Sequence, residues 1–249
     1  MTPPMKKVPV ALQLWSVREE MKRDFAATVG EVARMGYAGV ELAGYGNLDA
    51  KGAKAALDAA GLRVAGMHVA YPAVSTDPWT VVNDALLLGC RHVACSWWPP
   101  GQYLSRQACE RIGEMLDPIG ETLRGFGIRF GFHNHDSEFK IFEGRPAFDW
   151  ILGAAQPRNL FAELDVYWVQ HAGYSPAKFI RDHGARVALI HLKDAKEIGT
   201  GPVDFGAIFE AADAVGAAEW YVVEQEAYNH TPLKSVEICL QQLRSWGRA

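Results

Sequence analysis

A closed (β/α)8 barrel, a single α/β domain spanning residues 1–249, is the fold predicted here, on three observations. Short apolar runs alternate with amphipathic stretches eight times in 249 residues, about the length such a barrel occupies. Strands that alternate with helices pair in parallel through right-handed crossovers. Polar residues end the runs at Glu41, His68, His133, Asp165, His191 and Glu224, in steps of 26 to 33 residues apart from one double step that contains the fourth strand. An open doubly wound sheet is the rival. It is disfavoured because no GxGxxG follows the first strand and the polar ends are spread over most strands.

The elements follow in order. Val8 to Leu14 is the first strand, ending at Trp15, Ser16 and Arg18. Asp24 caps a helix whose stripe is Phe25, Val29, Val32 and Met35, closed by Gly36. Ala38–Leu42 is the second strand, with Glu41 near its end, and Asp49–Ala60 an Ala-rich helix stopped by Gly61. Leu62–Val69 delivers His68, and Pro78 opens a helix that runs to Leu88. Cys90–Ser96 is the fourth strand, followed by the aromatic loop Trp97-Trp98-Pro99-Pro100-Gly101. Ser105–Arg124 reads as a long helix that Pro118 breaks or kinks. The fifth strand starts after Gly127 and runs into His133-Asn134-His135-Asp136-Ser137-Glu138; alternation sends His133 and His135 to one side and Asn134 to the other. A helix over Pro146–Ala155, strand Asn159–Asp165, helix Pro176–His183, strand Arg186–Leu192, helix Asp204–Val215, strand Trp220–Glu226 and helix Pro232–Trp246 complete the chain.

Bulk composition narrows the function classes. A formal charge of −4 gives no electrostatic footprint for nucleic acid or an anionic membrane. Cys90, Cys95, Cys109 and Cys239 form no CxxC, so reduced thiols are expected. The opening Met-Thr-Pro-Pro-Met-Lys-Lys holds no long apolar signal region, and no run reaches a membrane span. A soluble cytoplasmic protein is expected, with a homodimer as one option for its assembly.

In a parallel barrel the strand C-termini meet at one face. That converts His133, His135 and Glu138, Glu163 and Asp165, His191 and Lys193, and Glu224 and Glu226 into neighbours. Imidazoles and carboxylates that converge repel or desolvate one another unless a cation sits among them. Mixed nitrogen and oxygen donors suit Mn, Zn, Co or Fe. Each residue has a plainer reading: Asp165 as a turn cap, His191 as a satisfied core histidine, Glu224 as a solvated strand end, Glu163 and Glu226 as supporting or surface groups. Four consecutive strands ending in possible ligands favour the metal centre.

The motifs QLWSVRE, GYAGVEL, GMHV, FHNHDSEF, ELDVYW, IHLKD and YVVEQE, spread over essentially the whole chain, resemble the xylose-isomerase-like TIM-barrel superfamily of sugar isomerases and epimerases, inosose dehydratases and endonuclease-IV-type enzymes. The resemblance implies a metal held by Asp165, His191 and Glu224. Where many members have a strand-five Glu, this chain has His133, so either His133 or Glu138 supplies the fourth ligand. It further implies a reaction next to the carbonyl of a sugar, keto-polyol or keto-glycoside through a metal-stabilised enediolate. Glu138 or Glu224 would be the base, and His135, His68 or Lys193 the group that returns the proton. Glu41 and His68 would bind substrate hydroxyls, while Trp15, Trp97, Trp98 and Trp168 would stack on the sugar. Gly199-Thr200-Gly201 and Asn229-His230-Thr231 lie where barrels often bind phosphate, but neither contains Arg, so a neutral sugar is favoured and a phosphorylated one stays open. A non-catalytic sugar-binding barrel and an endonuclease-IV-like phosphodiesterase are the alternatives.

Overall fold

The computed structural model describes residues 7–249; the opening segment through Lys6, read above as lacking a signal region, lies outside them. Eight strands form the barrel: β1 (Val10–Gln13), β2 (Gly39–Leu42), β3 (Arg63–Val69), β4 (His92–Cys95), β5 (Arg129–His133), β6 (Phe161–Asp165), β7 (Val187–Leu192) and β8 (Trp220–Val223). Each pairs in parallel with its sequence neighbours, and β8 closes on β1 through Val10 opposite Tyr221 and Leu12 opposite Val223. The predicted (β/α)8 architecture is therefore present. Among the described residues no helix is long and apolar enough to cross a membrane.

Helices α1 (Phe25–Met35), α2 (Ala50–Ala60), α3 (Pro78–Leu88), α4 (Arg106–Arg124), α5 (Ala147–Ala154), α6 (Pro176–His183), α7 (Phe205–Val215) and α8 (Pro232–Ser245) follow the strands in turn. The side chains of Asp24, Asp49, Asp77, Ser105, Ser175 and Asp204 each accept a hydrogen bond from a first-turn backbone N–H, so their cap chemistry sets the helix starts. The outer strand faces (Leu12, Val40, Val93, Phe132, Leu164, Ile190, Val223) pack under these helices in the main core. A separate inner cluster of Ala11, Ala65, Phe161, Leu189 and Trp220 fills the barrel itself. Phe161 and Trp220 head their strands, so this apolar plug occupies the N-terminal end and leaves the C-terminal end to polar groups.

Pro118 does not break its helix: α4 is one element of 19 residues. A mid-helix proline costs about 3 kcal/mol or more, and packing on both sides of it prevails here. Asp117 Oδ1 accepts from Gln156 N (2.7 Å) and Asn159 Nδ2 (3.0 Å). Gly113 and Gly120 bring the helix against backbone, where an added Cβ would lie 2.2 Å from the Ile151 carbonyl oxygen and 1.8 Å from that of Asn159. Gly120→Ala is expected to destabilise by about 1–3 kcal/mol, because overpacking against backbone outweighs the ~1 kcal/mol helical preference for Ala. Gly153→Ala, where nothing lies within 4 Å, serves as the control in which the helical preference for Ala acts alone and stability rises slightly. Thermal unfolding of both variants checks the pair, and equal midpoints would contradict the close approach.

Three short helices (Arg18–Arg23, Tyr71–Thr76, Val166–His171) and the hairpin Ile141–Phe142 with Arg145–Pro146 were not legible as elements in the sequence. Each lies in a loop at the C-terminal face and shapes the mouth of the barrel.

Candidate metal centre

Strand alternation builds the site. In β6, Phe161, Glu163 and Asp165 share the inward face, from the apolar plug to the strand end. Leu189 and His191 do the same in β7, and Trp220, Val222 and then Glu224 on and just past β8. Room for this comes from Gly66, where an added Cβ would meet Glu41 Oε1 at 2.4 Å, and from Gly131, where one would meet the Phe161 ring at 2.5 Å. Asn134 points toward β6 as alternation requires; it donates to the Asp165 carbonyl (3.2 Å) and accepts from Asp165 N (2.9 Å). This locks the ends of β5 and β6 side by side.

Two overlapping tetrads result. His133, Asp165, His191 and Glu224 each offer a donor atom within 4.8 Å of the others, all four buried; His68, His133, Glu163 and His191 form the second set, with His68 half-buried. One oxygen of Asp165 caps the short helix by accepting from Tyr167 N (2.9 Å) and Trp168 N (3.1 Å). Its other oxygen, Oδ2, is buried with no hydrogen-bond partner. The cap reading and the ligand reading of Asp165 thus hold together, one oxygen each.

The deeper carboxylates wire the histidines. Glu41 Oε2 accepts from Gln13 Nε2 (2.7 Å) and lies 2.7 Å from His191 Nε2. Both ring nitrogens of His191 thus face carboxylate oxygens, Nε2 that of Glu41 and Nδ1 that of Glu224 Oε2, 3.2 Å away. Glu163 Oε2 lies 2.6 Å from His68 Nε2 and 3.2 Å from His133 Nδ1. Carboxylate behind imidazole is the arrangement that orients histidine ligands of metals.

Electrostatics point the same way. Glu41, Glu163 and Asp165 are 0% exposed and Glu224 5%, an acidic excess whose burial costs several kcal/mol per uncompensated ion. Burial pushes the carboxyl of Glu41 up, with Glu163 adding to it. Burial works against a charged His191, but Glu41, Glu163 and Glu224 outweigh it and raise its pKa well above the ordinary range. His133 is driven down to about 3 by burial, which leaves a neutral imidazole fit for coordination. Buried oxygens without hydrogen-bond partners converge here: Glu41 Oε1, Glu163 Oε1 and Asp165 Oδ2. Such atoms demand a partner, and a divalent ion fits this donor set of imidazoles and carboxylates.

Above the tetrads opens a pocket of about 420 Å³, within the range of small-molecule sites. Trp15 and Trp97 form its walls, with His68, His133, His135, Glu224 and Glu226 among its polar lining. His135 lies beyond the end of β5 yet still reaches the pocket, its ring 5.2 Å from that of His133. Lys193 pairs with Glu226 and lies 3.7 Å from Glu224 Oε2 and 3.8 Å from Asp165 Oδ2, with its ammonium 4.9 Å from the Trp168 ring centre. Burial opposes its charge, but the carboxylates of Glu224, Asp165 and Glu226 prevail and raise its pKa.

Several expected residues fall elsewhere. Glu138 joins neither tetrad: its oxygens accept from the Tyr103 hydroxyl and from His135 N (2.8 Å). Glu41 is sealed beneath His191 rather than lining the pocket. Trp98 is 6% exposed and packs on Tyr71 and Phe132, away from the pocket wall. Trp168 stands beside His135, ring centres 5.8 Å apart. Glu163, read as a supporting or surface group, belongs to the second tetrad; its signal was the two-residue step from Asp165, which puts both on one face. Tyr103 and Gln13 carried no comparable signal.

Glu138 also makes stability depend on pH. Burial pushes its carboxyl up to about 7 from the ordinary 4.5, against the donors from Tyr103 and His135. A carboxyl raised on folding stabilises fully below its unfolded pKa, and that contribution is lost as pH climbs through the folded one. Glu138→Gln escapes the loss, so its stability relative to wild type is expected to rise by about 3 kcal/mol between about pH 4 and pH 8. Denaturant titrations at both ends check this, and a pH-independent difference would contradict it.

A (β/α)8 barrel with a buried carboxylate–imidazole centre at its C-terminal mouth defines the class. A family model described as xylose isomerase-like TIM barrel matches residues 29–246, and the chain belongs to that family. No match was found among curated proteins. Two solved structures of sugar phosphate isomerase/epimerases from Parabacteroides distasonis are similar. One has a TM-score of 0.88 and 24% identity over 98% of this chain and 96% of that one. The other has a TM-score of 0.85 and 25% identity over 95% and 98%. An AP endonuclease of family 2 from Brucella melitensis superposes with a TM-score of 0.75 at 17% identity, over 96% and 99%.

Proposed function

We propose that the chain is a divalent-metal-dependent sugar isomerase or epimerase that acts beside the carbonyl of a sugar or keto-polyol. One observation carries this: the donor atoms of His133, Asp165, His191 and Glu224 converge within 4.8 Å beneath a tryptophan-walled pocket. The names of the two Parabacteroides relatives agree with it. His133 is the strand-five ligand in this reading, because both Glu138 oxygens are already engaged.

What a divalent ion supplies at such a centre is Lewis-acid polarisation of a carbonyl oxygen. The rest falls to the chain. Glu224 reaches the pocket floor and is kept ionised, against its burial, by Lys193 and His191, as a base that removes a carbon-bound proton must be. His68 and His135 line the same pocket and are the groups that can return a proton to the substrate. Glu226 holds Lys193 in place, and Trp15 and Trp97 offer apolar faces to the sugar's C–H surface.

The test is a screen of ketoses in D2O with the metal-loaded protein, read by mass spectrometry. Deuterium is expected at the carbon next to the carbonyl, abolished by a chelator and restored by Mn, Co, Zn or Fe. A loaded protein that binds a ketose without exchanging it would favour the non-catalytic barrel.

A further inference from the structure

We infer that the pocket takes an unphosphorylated sugar or keto-polyol, because two of the chain's own carboxylates fill the phosphate cradle of the barrel. The inference rests on the sugar-isomerase reading for the word sugar, but its anion argument stands on geometry alone. Barrels commonly hold phosphate on backbone N–H groups in the loops after the seventh and eighth strands. Here those groups are taken.

In the loop after β7, Asp194 is 2% exposed. Its Oδ2 accepts from Gly199 N (3.1 Å) and Gly201 N (3.0 Å), and its Oδ1 from Ala195 N (2.9 Å). The loop wraps so closely that a Cβ on Gly201 would lie 2.0 Å from Asp194 Oδ1. Glu197, also 2% exposed, closes the other half. Its Oε1 accepts from Asn229 N (2.9 Å) and from the Ser235 hydroxyl (2.5 Å) in the first turn of α8, and its Oε2 accepts from Asn229 Nδ2 (2.6 Å). The Gly199–Gly201 and Asn229 segments singled out in the sequence are thus joined by internal anions, where an external phosphate would need the same donors.

Charge around the pocket agrees. Its lining includes the carboxylates of Glu224 and Glu226 and, among the described residues, no arginine or lysine. Lys193 behind them is committed to Glu226. Lys196 donates to Asn229 Oδ1 (2.7 Å), and Arg18 lies 4.8 Å from the Trp15 ring centre while donating to the Trp15 carbonyl (3.2 Å). At the rim a phosphate dianion meets the carboxylate of Glu226 and finds no arginine or lysine in the pocket lining to pair with it. A neutral polyol instead finds the half-exposed faces of Trp15 and Trp97.

The experiment is calorimetric titration of the metal-loaded protein with ketohexoses, each beside its own 1- and 6-phosphate ester, and with inorganic phosphate. Each ester is expected to bind about a hundred-fold more weakly than its parent sugar, or not at all. Glu197→Ala, which opens the cradle, is expected to regain ester affinity by about ten-fold or more with its metal content unchanged. An ester that binds wild type more tightly than its parent overturns the inference, as does an ester affinity that Glu197→Ala lowers. A parent sugar that binds without deuterium exchange would instead remove the isomerase reading and leave the exclusion of phosphate standing.

Discussion

Asp165→Asn is expected to emerge from purification without its divalent ion and with deuterium exchange reduced by about a thousand-fold or more, since the metal supplies several kcal/mol of charge stabilisation. The substitution is close to isosteric. Its amide can keep an oxygen on Tyr167 N and Trp168 N, where Oδ1 now caps the short helix. What it changes is Oδ2, the buried oxygen without a partner, which becomes an NH2 group with no lone pair to give a cation. Fold and cap therefore persist while the donor disappears. Metal content by mass spectrometry and helix content by circular dichroism separate the two effects. An Asp165→Asn protein that folds and keeps a full complement of metal would show that the ion lies elsewhere.

Glu41→Gln is expected to weaken metal affinity by about ten- to a hundred-fold, with turnover falling in step. Glu41 does not line the pocket; it acts through His191, whose Nε2 lies 2.7 Å from its Oε2. An amide oxygen can still accept from Gln13 and His191, but it carries no charge to raise the basicity of the imidazole. The visible spectrum and affinity of the Co(II)-loaded protein report this directly. If Glu41 instead bound substrate hydroxyls, KM would rise while the cobalt affinity stayed put, and its positioning role would be refuted.

The barrel was legible because its signals are local and repeated. Caps such as Asp24, Asp49 and Ser175 act on their own helices, and strand ends recur at a nearly constant spacing. Convergence of Asp165, His191 and Glu224 followed once the strands were parallel and closed. Legibility failed where a side chain's partner lies far along the chain. Glu138 looked like a ligand because it is five residues from His133, but the 3-10 turn Ser137–Phe139 carries it to Tyr103, 35 residues upstream. Pro118 looked like a breaker because its local cost was visible and the compensating grip of Asp117 on Gln156 and Asn159 was not. Trp98 and Trp97 are indistinguishable by residue type. Only packing sends the first against Phe132 and leaves the second on the pocket wall.

The metal centre is tested most directly by native mass spectrometry of the wild-type chain, stripped with a chelator and reloaded with Mn, Zn, Co or Fe. One tightly held divalent ion per chain, displaced by the chelator and absent from His191→Ala, is the predicted result. A chain that stays empty after reloading, or one whose ion survives in His191→Ala, would contradict a metal centre built on His133, Asp165, His191 and Glu224.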